Sequence, residues 1–401
     1  MIEVENSGIR RSKRRKVQID YSGLLALDDE CIPVGEGHTN TYRNLARAVL
    51  QWPDNSSKLA VVSPENLSSF VHNTGFHAPC VVRQSSATAE ALGIRLPRGK
   101  LTVRRLCKIL GKDHPVNTID VATQLEGPVY DMGDWVSYFY SSAPRKRLLN
   151  VVSLDLAETP LENMVSVPSI VRELDLVSEA WPHNDNRSPK VQLYALMSVA
   201  NCYTDFHIDF GGSSVWYHVL SGHKVFLLAP PSKGNLLMFE EWASSEKQAS
   251  ISFAHELAAD CQKIEVFAGD TLFIPGGWPH CVATPMDSLV IGGNFLTGYN
   301  MRLQFDIWHM EERLKVRRKF RYPFYKPLMW YTASYYLSLL KKEGNETKRK
   351  VLSVWEREGI RSLCTTLQCW IEQSVRSGEV PDCIHDPNAL LKDLQDIAKV
   401  H

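Results

Sequence analysis

The stretch from about residue 191 to 300 constrains this chain more than any other. It breaks into short segments rich in β-branched and aromatic residues, at 191–197, 204–210, 215–220, 224–228, 264–267, 271–274 and 289–295, divided by Gly, Pro and Ser. Strands spaced in this way bury their apolar faces by closing on one another as a sandwich or barrel. Upstream, from about 60 to 190, short helical and strand patterns alternate. Thr102 is placed to cap a helix ending at Gly111, and Ile170, Leu174, Val177 and Trp181 recur on one face of a helix over 169–181. Residues 148–156 read as a buried strand with one polar member, Asn150. After about 302 the pattern turns helical: 328–340 is rich in aromatics, and Asp386 and Pro387 open a last helix that can bury Leu390, Leu394 and Ile397.

A chain of 401 residues with 44% hydrophobic content has material for one large core plus a helical appendage, or for two modest domains. Its 45 basic and 45 acidic side chains cancel, so attraction to a polyanion or an anionic membrane has to be local. Two basic clusters qualify. Arg10, Arg11, Lys13, Arg14, Arg15 and Lys16 lie in a segment too poor in apolar residues to order itself, which reads as a disordered arm over 1–30 serving as a nuclear localisation signal or a contact to DNA. Arg313, Lys315, Arg317, Arg318, Lys319, Arg321 and Lys326 follow the strand-rich stretch and suit either DNA phosphates or charge pairing with Glu311 and Glu312 on a solvated face. No signal-peptide pattern or run near the roughly 18 apolar residues of a membrane span is visible, so a soluble intracellular protein is expected, with no membrane partner. The nine cysteines are scattered, without a C-x-x-C pair, and are expected as reduced thiols, with Cys364 and Cys369 buried or half-buried.

The chemically informative segment is Tyr203-Thr204-Asp205-Phe206-His207-Ile208-Asp209-Phe210. Alternate side chains of a strand share a face, so His207 and Asp209 converge. A second imidazole from elsewhere would complete the two-histidine, one-carboxylate set that leaves metal positions open for other ligands. His280 is the candidate, because it follows a strand at 271–275 and the tight turn Gly276-Gly277-Trp278-Pro279. Spacing alone leaves open a core histidine paired to an acid. His183 and Asp185 repeat the spacing in a polar stretch that cannot be a strand, and read as coincidence. Residues 215–228 read as a hairpin turning at Ser221-Gly222, which sets Val219 opposite Lys224 and Tyr217 diagonal to it. A lysine buried there needs an anion, and the distal carboxylate of 2-oxoglutarate would serve; on an exposed strand face it is a surface lysine, and a one-residue slip of the turn sends Tyr217 and Lys224 to different positions. Thr204 sits an odd number of residues from His207, so it faces the same way only if a bulge intervenes.

The run YTDFHIDFGGSSVWYHVLSGHKVFLLAPP, followed by GDTLFIPGGWPHCVATP and GGNFL, resembles the JmjC demethylases, and within them the lysine demethylase 2 and PHD-finger demethylase groups. The resemblance runs from about residue 100, through NVVSLDLAETPLENMV and PKVQLYALMSV, to RKFRYPFY. It implies an α+β chain with a double-stranded β-helix jelly roll: a mixed region at 31–145, the catalytic jelly roll at 146–312 and a helical domain at 313–401. It further implies that His207, Asp209 and His280 ligate Fe(II), that Thr204, Tyr217, Lys224 and Asn150 hold 2-oxoglutarate, and that Asn294 lies beside the substrate. Neither a PHD finger nor a CXXC zinc finger or F-box is visible in the chain.

The chemistry so implied couples oxidation of 2-oxoglutarate by O2 to hydroxylation of an N-methyl carbon, whose carbinolamine collapses to formaldehyde and a lysine with one methyl fewer. The implied partner is a methylated histone H3 tail, lysine-36 first and dimethylated lysine-9 or lysine-27 next, in a nuclear protein whose basic clusters at 10–16 and 313–326 would touch nucleosomal DNA. A JmjC hydroxylase that leaves a stable hydroxyl, and an inactive chromatin-binding scaffold, are the rival readings.

Overall fold

The computed structural model describes residues 42–400 except 55–58, 85–87, 186, 246–252, 257–259, 342–351 and 374–378. The basic arm at 10–16 and Cys31 lie outside the described residues. In chain order the elements begin with α1 (Tyr42–Gln51), β1 (Ala60–Val61), α2 (Leu67–Thr74), β2 (Cys80–Val82), α3 (Thr88–Ala91) and α4 (Val103–Leu110). There follow β3 (Pro115–Asp120), β4 (Leu125–Asp131), α5 (Met132–Phe139), β5 (Leu149–Asp155), α6 (Ser169–Leu174), α7 (Leu176–Ala180), β6 (Tyr194–Ser198) and β7 (Cys202–His207). The strand-rich stretch continues with β8 (Ser214–Leu228), α8 (Lys233–Ser244), α9 (Phe253–Glu256), β9 (Gln262–Phe267), β10 (Thr271–Ile274) and β11 (His280–Phe295). The chain closes with α10 (Met301–Arg313), α11 (Tyr325–Lys341), α12 (Val354–Glu372) and α13 (Pro387–Val400).

The strands form one mixed sheet in the order β1-β2-β10-β8-β11-β6-β5-β3-β4, with β7 added to β11 and β9 to β8. Its centre is the antiparallel pair β8 and β11, joined along their whole length from Ser214↔Phe295 to Leu228↔His280. Register shifts near Ser221–His223 and Ala283–Leu289 bend the two strands together. The sheet therefore folds into two leaves: β10 and β6 flank one half of the pair, and β9 and β7 flank the other. Tyr217, Val219, Phe226, Leu228, Ile264, Leu272 and Val290 pack together as an apolar cluster that draws on both halves. This is the jelly-roll architecture expected, with β1 to β4 supplied by the N-terminal region.

The hairpin expected over 215–228 does not exist. Ser221 and Gly222 lie inside β8, and Tyr217 and Lys224 pair with different neighbours, Gly292 and Val266. A Ser-Gly pair has turn chemistry, but β11 offers continuous partners past it, so the chain bends without reversing. Gly222 carries the bend at φ +93°, where a Cβ would sit 2.4 Å from the Asp287 carbonyl oxygen. The helix expected over 169–181 is also two helices. Asp175 takes extended angles between them and its carboxylate caps α7, accepting from Val177 and Ser178 amides at 3.2 Å. Ile170, Leu174 and Trp181 are buried as expected and Val177 partly so.

The C-terminal helices pack around a second core in which Trp308, Trp330, Leu363, Leu367, Trp370, Leu391 and Leu394 are buried. Asp386 accepts from the Ala389 amide at 2.9 Å and opens α13, and a capping box between Ser353 and Glu356 opens α12. The side chain of Ile397 lies outside the described residues. Cys364 is buried, whereas Cys369 is exposed, contrary to expectation. Among the described residues no helix is long and apolar enough to cross a membrane.

Replacing Gly222 by Ala puts a side chain into a left-handed, crowded position and is expected to destabilise the fold by about 1–3 kcal/mol. Scanning calorimetry checks this, and an unchanged melting temperature would show that the bend does not need glycine.

Candidate metal centre

β7 ends at His207, and β11 begins at His280 directly opposite it. Their rings lie 4.2 Å apart between centroids, and His280 Nε2 is 3.8 Å from Asp209 Oδ2. One ligand atom from each of His207, Asp209 and His280 falls within 4.8 Å of the others, the only such grouping of metal-ligating side chains among the described residues. His183 is exposed in a turn, away from this group. Both imidazoles are tied in the same way. His207 Nδ1 bonds the Asp205 carbonyl and His280 Nδ1 the Trp278 carbonyl, each at 2.9 Å. A carbonyl only accepts, so Nδ1 carries the proton and Nε2 presents its lone pair. Burial, reinforced by the neighbouring His207, drives the His280 imidazole down to about 4 and keeps it neutral at physiological pH.

Asp209 is held just as firmly. Its Oδ1 accepts from Asn294 Nδ2 at 3.0 Å, leaving Oδ2 turned toward His280. The other amide hydrogen of Asn294 goes to Ser213 Oγ, also at 3.0 Å. Asn294, expected beside the substrate, thus commits its amide group to bracing the carboxylate. The turn after Asp209 is anchored from α10, where Glu311 Oε1 accepts from the Gly211 amide at 2.7 Å.

The odd separation of Thr204 from His207 is absorbed by a bulge. From His280 to Val282 β11 advances two residues, while β7 goes from His207 back to Thr204, three residues, and this reverses the parity. The bulged edge is clamped by a side chain that the sequence does not flag. Gln124 Oε1 accepts from the Asp205 amide at 2.9 Å, and its Nε2 donates to the Tyr203 carbonyl at 3.0 Å, so one amide group stands in for a neighbouring strand. Asp205 adds to this: its carboxylate accepts from the Phe206 amide and the Tyr203 hydroxyl at 2.8 Å, while its carbonyl receives His207 Nδ1.

Thr204 Oγ1 in turn accepts from Asn150 Nδ2 at 3.2 Å, and Asn150 pairs in register with Ser198 on β6. Lys224 reaches the same neighbourhood, donating to Ser198 Oγ at 2.6 Å and to Thr284 Oγ1 at 2.8 Å. It is 3% exposed and, among the described residues, has no carboxylate partner. Burial drives its ammonium down to about 7. Two hydroxyls satisfy two of its three N–H groups and none of its charge. Asn150 Oδ1 is likewise buried with no donor. Tyr217 is buried in the apolar lining, edge-on to Phe226, whose ring lies 6.3 Å from that of His280. The donor set therefore suits a divalent ion with open positions, and the uncompensated ammonium suits an anionic companion.

A cupin-like domain signature matches residues 166–309 and a Jumonji helical domain signature matches 299–400. The chain is 37% identical over 372 residues to the JmjC domain-containing histone demethylation protein 1 of Yarrowia lipolytica, covering 90% of this chain and 70% of that protein. The chain belongs to the JmjC histone demethylase family. Members of this family are 2-oxoglutarate-dependent dioxygenases. The JmjC chain is also 40% identical over 302 residues to lysine-specific demethylase 2A of Xenopus tropicalis and 34% identical over 404 residues to lysine-specific demethylase 7A of Mus musculus. Those matches cover 71% and 99% of this chain, but only 26% and 41% of the two animal proteins.

Sequence reasoning found the three converging groups, Lys224, Thr204 and Asn150. It missed the bracing residues Gln124, Ser213 and Glu311, and the hydroxyls of Ser198 and Thr284. Of these, Ser198 had a usable signal, as the small polar residue that ends the largely apolar strand Tyr194–Ser198. Gln124 and Glu311 had none.

Two outcomes are expected. Asn294→Leu removes the donor to Asp209 and should weaken binding of Co(II), as a spectroscopic metal, by about 10- to 100-fold in calorimetric titration with the fold retained. An unaltered affinity would remove Asn294 from the bracing role. Burial also raises the Glu311 carboxyl from its ordinary 4.5 to about 7, against the opposing Gly211 amide and Arg321. The folded chain then holds that proton more tightly, so the stabilisation is complete below 4.5 and fades as pH rises through about 7. Wild type should lose melting temperature relative to Glu311→Gln across this interval, and parallel curves would contradict it.

Proposed function

We propose that this chain is an Fe(II)- and 2-oxoglutarate-dependent demethylase of histone lysines, acting in the nucleus on a methylated histone H3 tail, with mono- or dimethylated lysine-36 preferred and dimethylated lysine-9 or lysine-27 next. The observation that carries the reading is the meeting of His207, Asp209 and His280 with Nε2, Oδ2 and Nε2 free for a metal, next to a buried ammonium that lacks a counter-charge. The substrate class is supported by the relatives, whose names state histone or lysine demethylation. The lysine-36 preference is supported by the resemblance to the lysine demethylase 2 group, whose members match at 40% and 42% identity against 34% to 38% for the demethylase 7 proteins.

When bound, the metal with 2-oxoglutarate and O2 supplies the oxidation. The residues of the chain supply placement and charge. His207 and His280 act as neutral donors held in one tautomer, and Asp209 supplies the negative charge on the oxygen that Asn294 leaves free. Lys224 uses its third N–H and its charge on the distal carboxylate of 2-oxoglutarate, which restores the full ammonium in a buried place. Turning the Asn150 amide over lets its oxygen accept from the Thr204 hydroxyl and frees an N–H for the cosubstrate. Tyr217 forms part of the wall on the Phe226 side.

Mass spectrometry of methylated histone H3 peptides, with iron and cosubstrate omitted in turn, tests the proposal. Stepwise loss of methylene mass with formaldehyde release is expected, and is expected to vanish in His207→Ala. A retained gain of one oxygen would make the chain a hydroxylase, and succinate formation equal to that of His207→Ala would make it a scaffold. Lys224→Gln should raise KM for 2-oxoglutarate about 10- to 100-fold, the strength of a charge-assisted bond, with Co(II) affinity unchanged. A KM equal to wild type would place the cosubstrate elsewhere.

A further inference from the structure

The cations at 313–326, expected to meet DNA, are mostly engaged within the molecule. Arg313 pairs with Glu240 at 2.6 Å, Lys319 with Glu126 at 2.6 Å, Lys326 with Glu379 at 2.8 Å, and Arg321 lies 3.9 Å from Glu312. A different concentration of charge is free. Residues 98–112 carry Arg98, Lys100, Arg104, Arg105, Lys108 and Lys112 and no acidic residue. None of the six joins an ion pair among the described residues, and all but Arg105, which is half-buried, are exposed.

This row is rigidly mounted. Arg104 stacks over the Tyr140 ring at 4.1 Å, just past the end of α5, and Arg145 lies over Tyr138 at 5.6 Å with Nη2 bonded to the Phe139 carbonyl at 2.9 Å. The end of α5 thus joins the α4 row to the turn at 144–147, where exposed Lys146 helps line a cavity of about 350 Å³ with Tyr138 and Arg145. The acids near this turn are already engaged: Asp120 pairs with Arg147, and Asp287 lies 3.7 Å from Arg145. Asp113, Asp131 and Asp134 are exposed at the opposite end, beside Lys112, whose carbonyl accepts from the Gly133 amide at 2.9 Å, and none of the three forms an ion pair among the described residues.

We propose that α4, its flanks and the 144–147 turn form a sequence-nonspecific binding surface for the phosphate backbone of duplex DNA. A row of exposed cations on a helix, about 12 Å long for eight residues before its flanks are added, suits a ladder of phosphates that release counterions, whereas a single small anion needs a socket. A single-stranded nucleic acid would need open aromatic faces for its bases, and here guanidinium groups cover a face of both Tyr138 and Tyr140. The surface is independent of the oxidation chemistry proposed above.

Fluorescence anisotropy of a labelled duplex of mixed sequence, over a potassium chloride series, tests this with the full chain, so that residues 10–16 contribute equally throughout. Neutralising four positions together (Lys100→Gln, Arg104→Gln, Lys108→Gln, Lys112→Gln) should lower affinity at least tenfold and reduce the slope of log K against log salt by about 3.6, at about 0.9 for each phosphate left without its cation. The paired change Lys100→Gln with Lys112→Gln, outside α4, should reduce it by about two and stands in if the fourfold variant melts early. Neutralising Arg313 and Lys319, which are paired with Glu240 and Glu126, should leave the slope as it is, and peptide demethylation should be the same in every variant. A slope unchanged by the α4 substitutions, no binding by wild type, or tighter binding of single-stranded RNA of equal length would each overturn the proposal.

Discussion

Everything in this molecule hangs on the pairing of β8 with β11. Two strands of 15 and 16 residues run antiparallel along their whole length and bend together, so one continuous ladder belongs to both leaves of the sheet. One end of the ladder delivers His280 opposite His207, and the other carries Asn294 to Asp209. A shift of register by one residue would turn His280 and Asn294 to the opposite faces together. The geometry of the metal centre is thus an output of backbone hydrogen bonding more than of local loop structure.

Around that ladder the residues divide by what they hold. Carbonyls of Asp205 and Trp278 fix the imidazoles, and Asn294 with Ser213 fixes the carboxylate. Glu311 reaches from α10 to the turn beyond Asp209, tying the C-terminal helices to the centre. Next to the imidazoles and the carboxylate so fixed, Lys224 has two hydroxyl partners but no counter-charge and Asn150 Oδ1 has no donor, and unmet demands beside a set of metal-ligating side chains point to what this part of the interior is built to receive.

The sequence was legible where the signal was short-ranged. His207 and Asp209 could be paired because a strand repeats every two residues, and His280 could be added because a strand and a glycine turn precede it. The bend at Gly222 was misread as a reversal, since Ser-Gly chemistry is the same in both and only β11, some 60 residues further on, decides between them. The helix over 169–181 was misread for the opposite reason: its apolar face is continuous, but Asp175 breaks the backbone while keeping that face aligned. Gln124 and Glu311 act across 81 and 100 residues, distances at which a lone sequence carries no pairing information.

Gln124 has a wider bearing on how the molecule can vary. It sits in the turn between β3 and β4, at the outermost edge of the sheet, yet it supplies the hydrogen bonds that a missing strand would give to β7. A region that looks like peripheral ornament is in this way stitched to the strand that bears a metal ligand. Lengthening or trimming that outer turn should be felt at the centre of the protein, because the hydrogen bonds it lends to β7 lie next to His207.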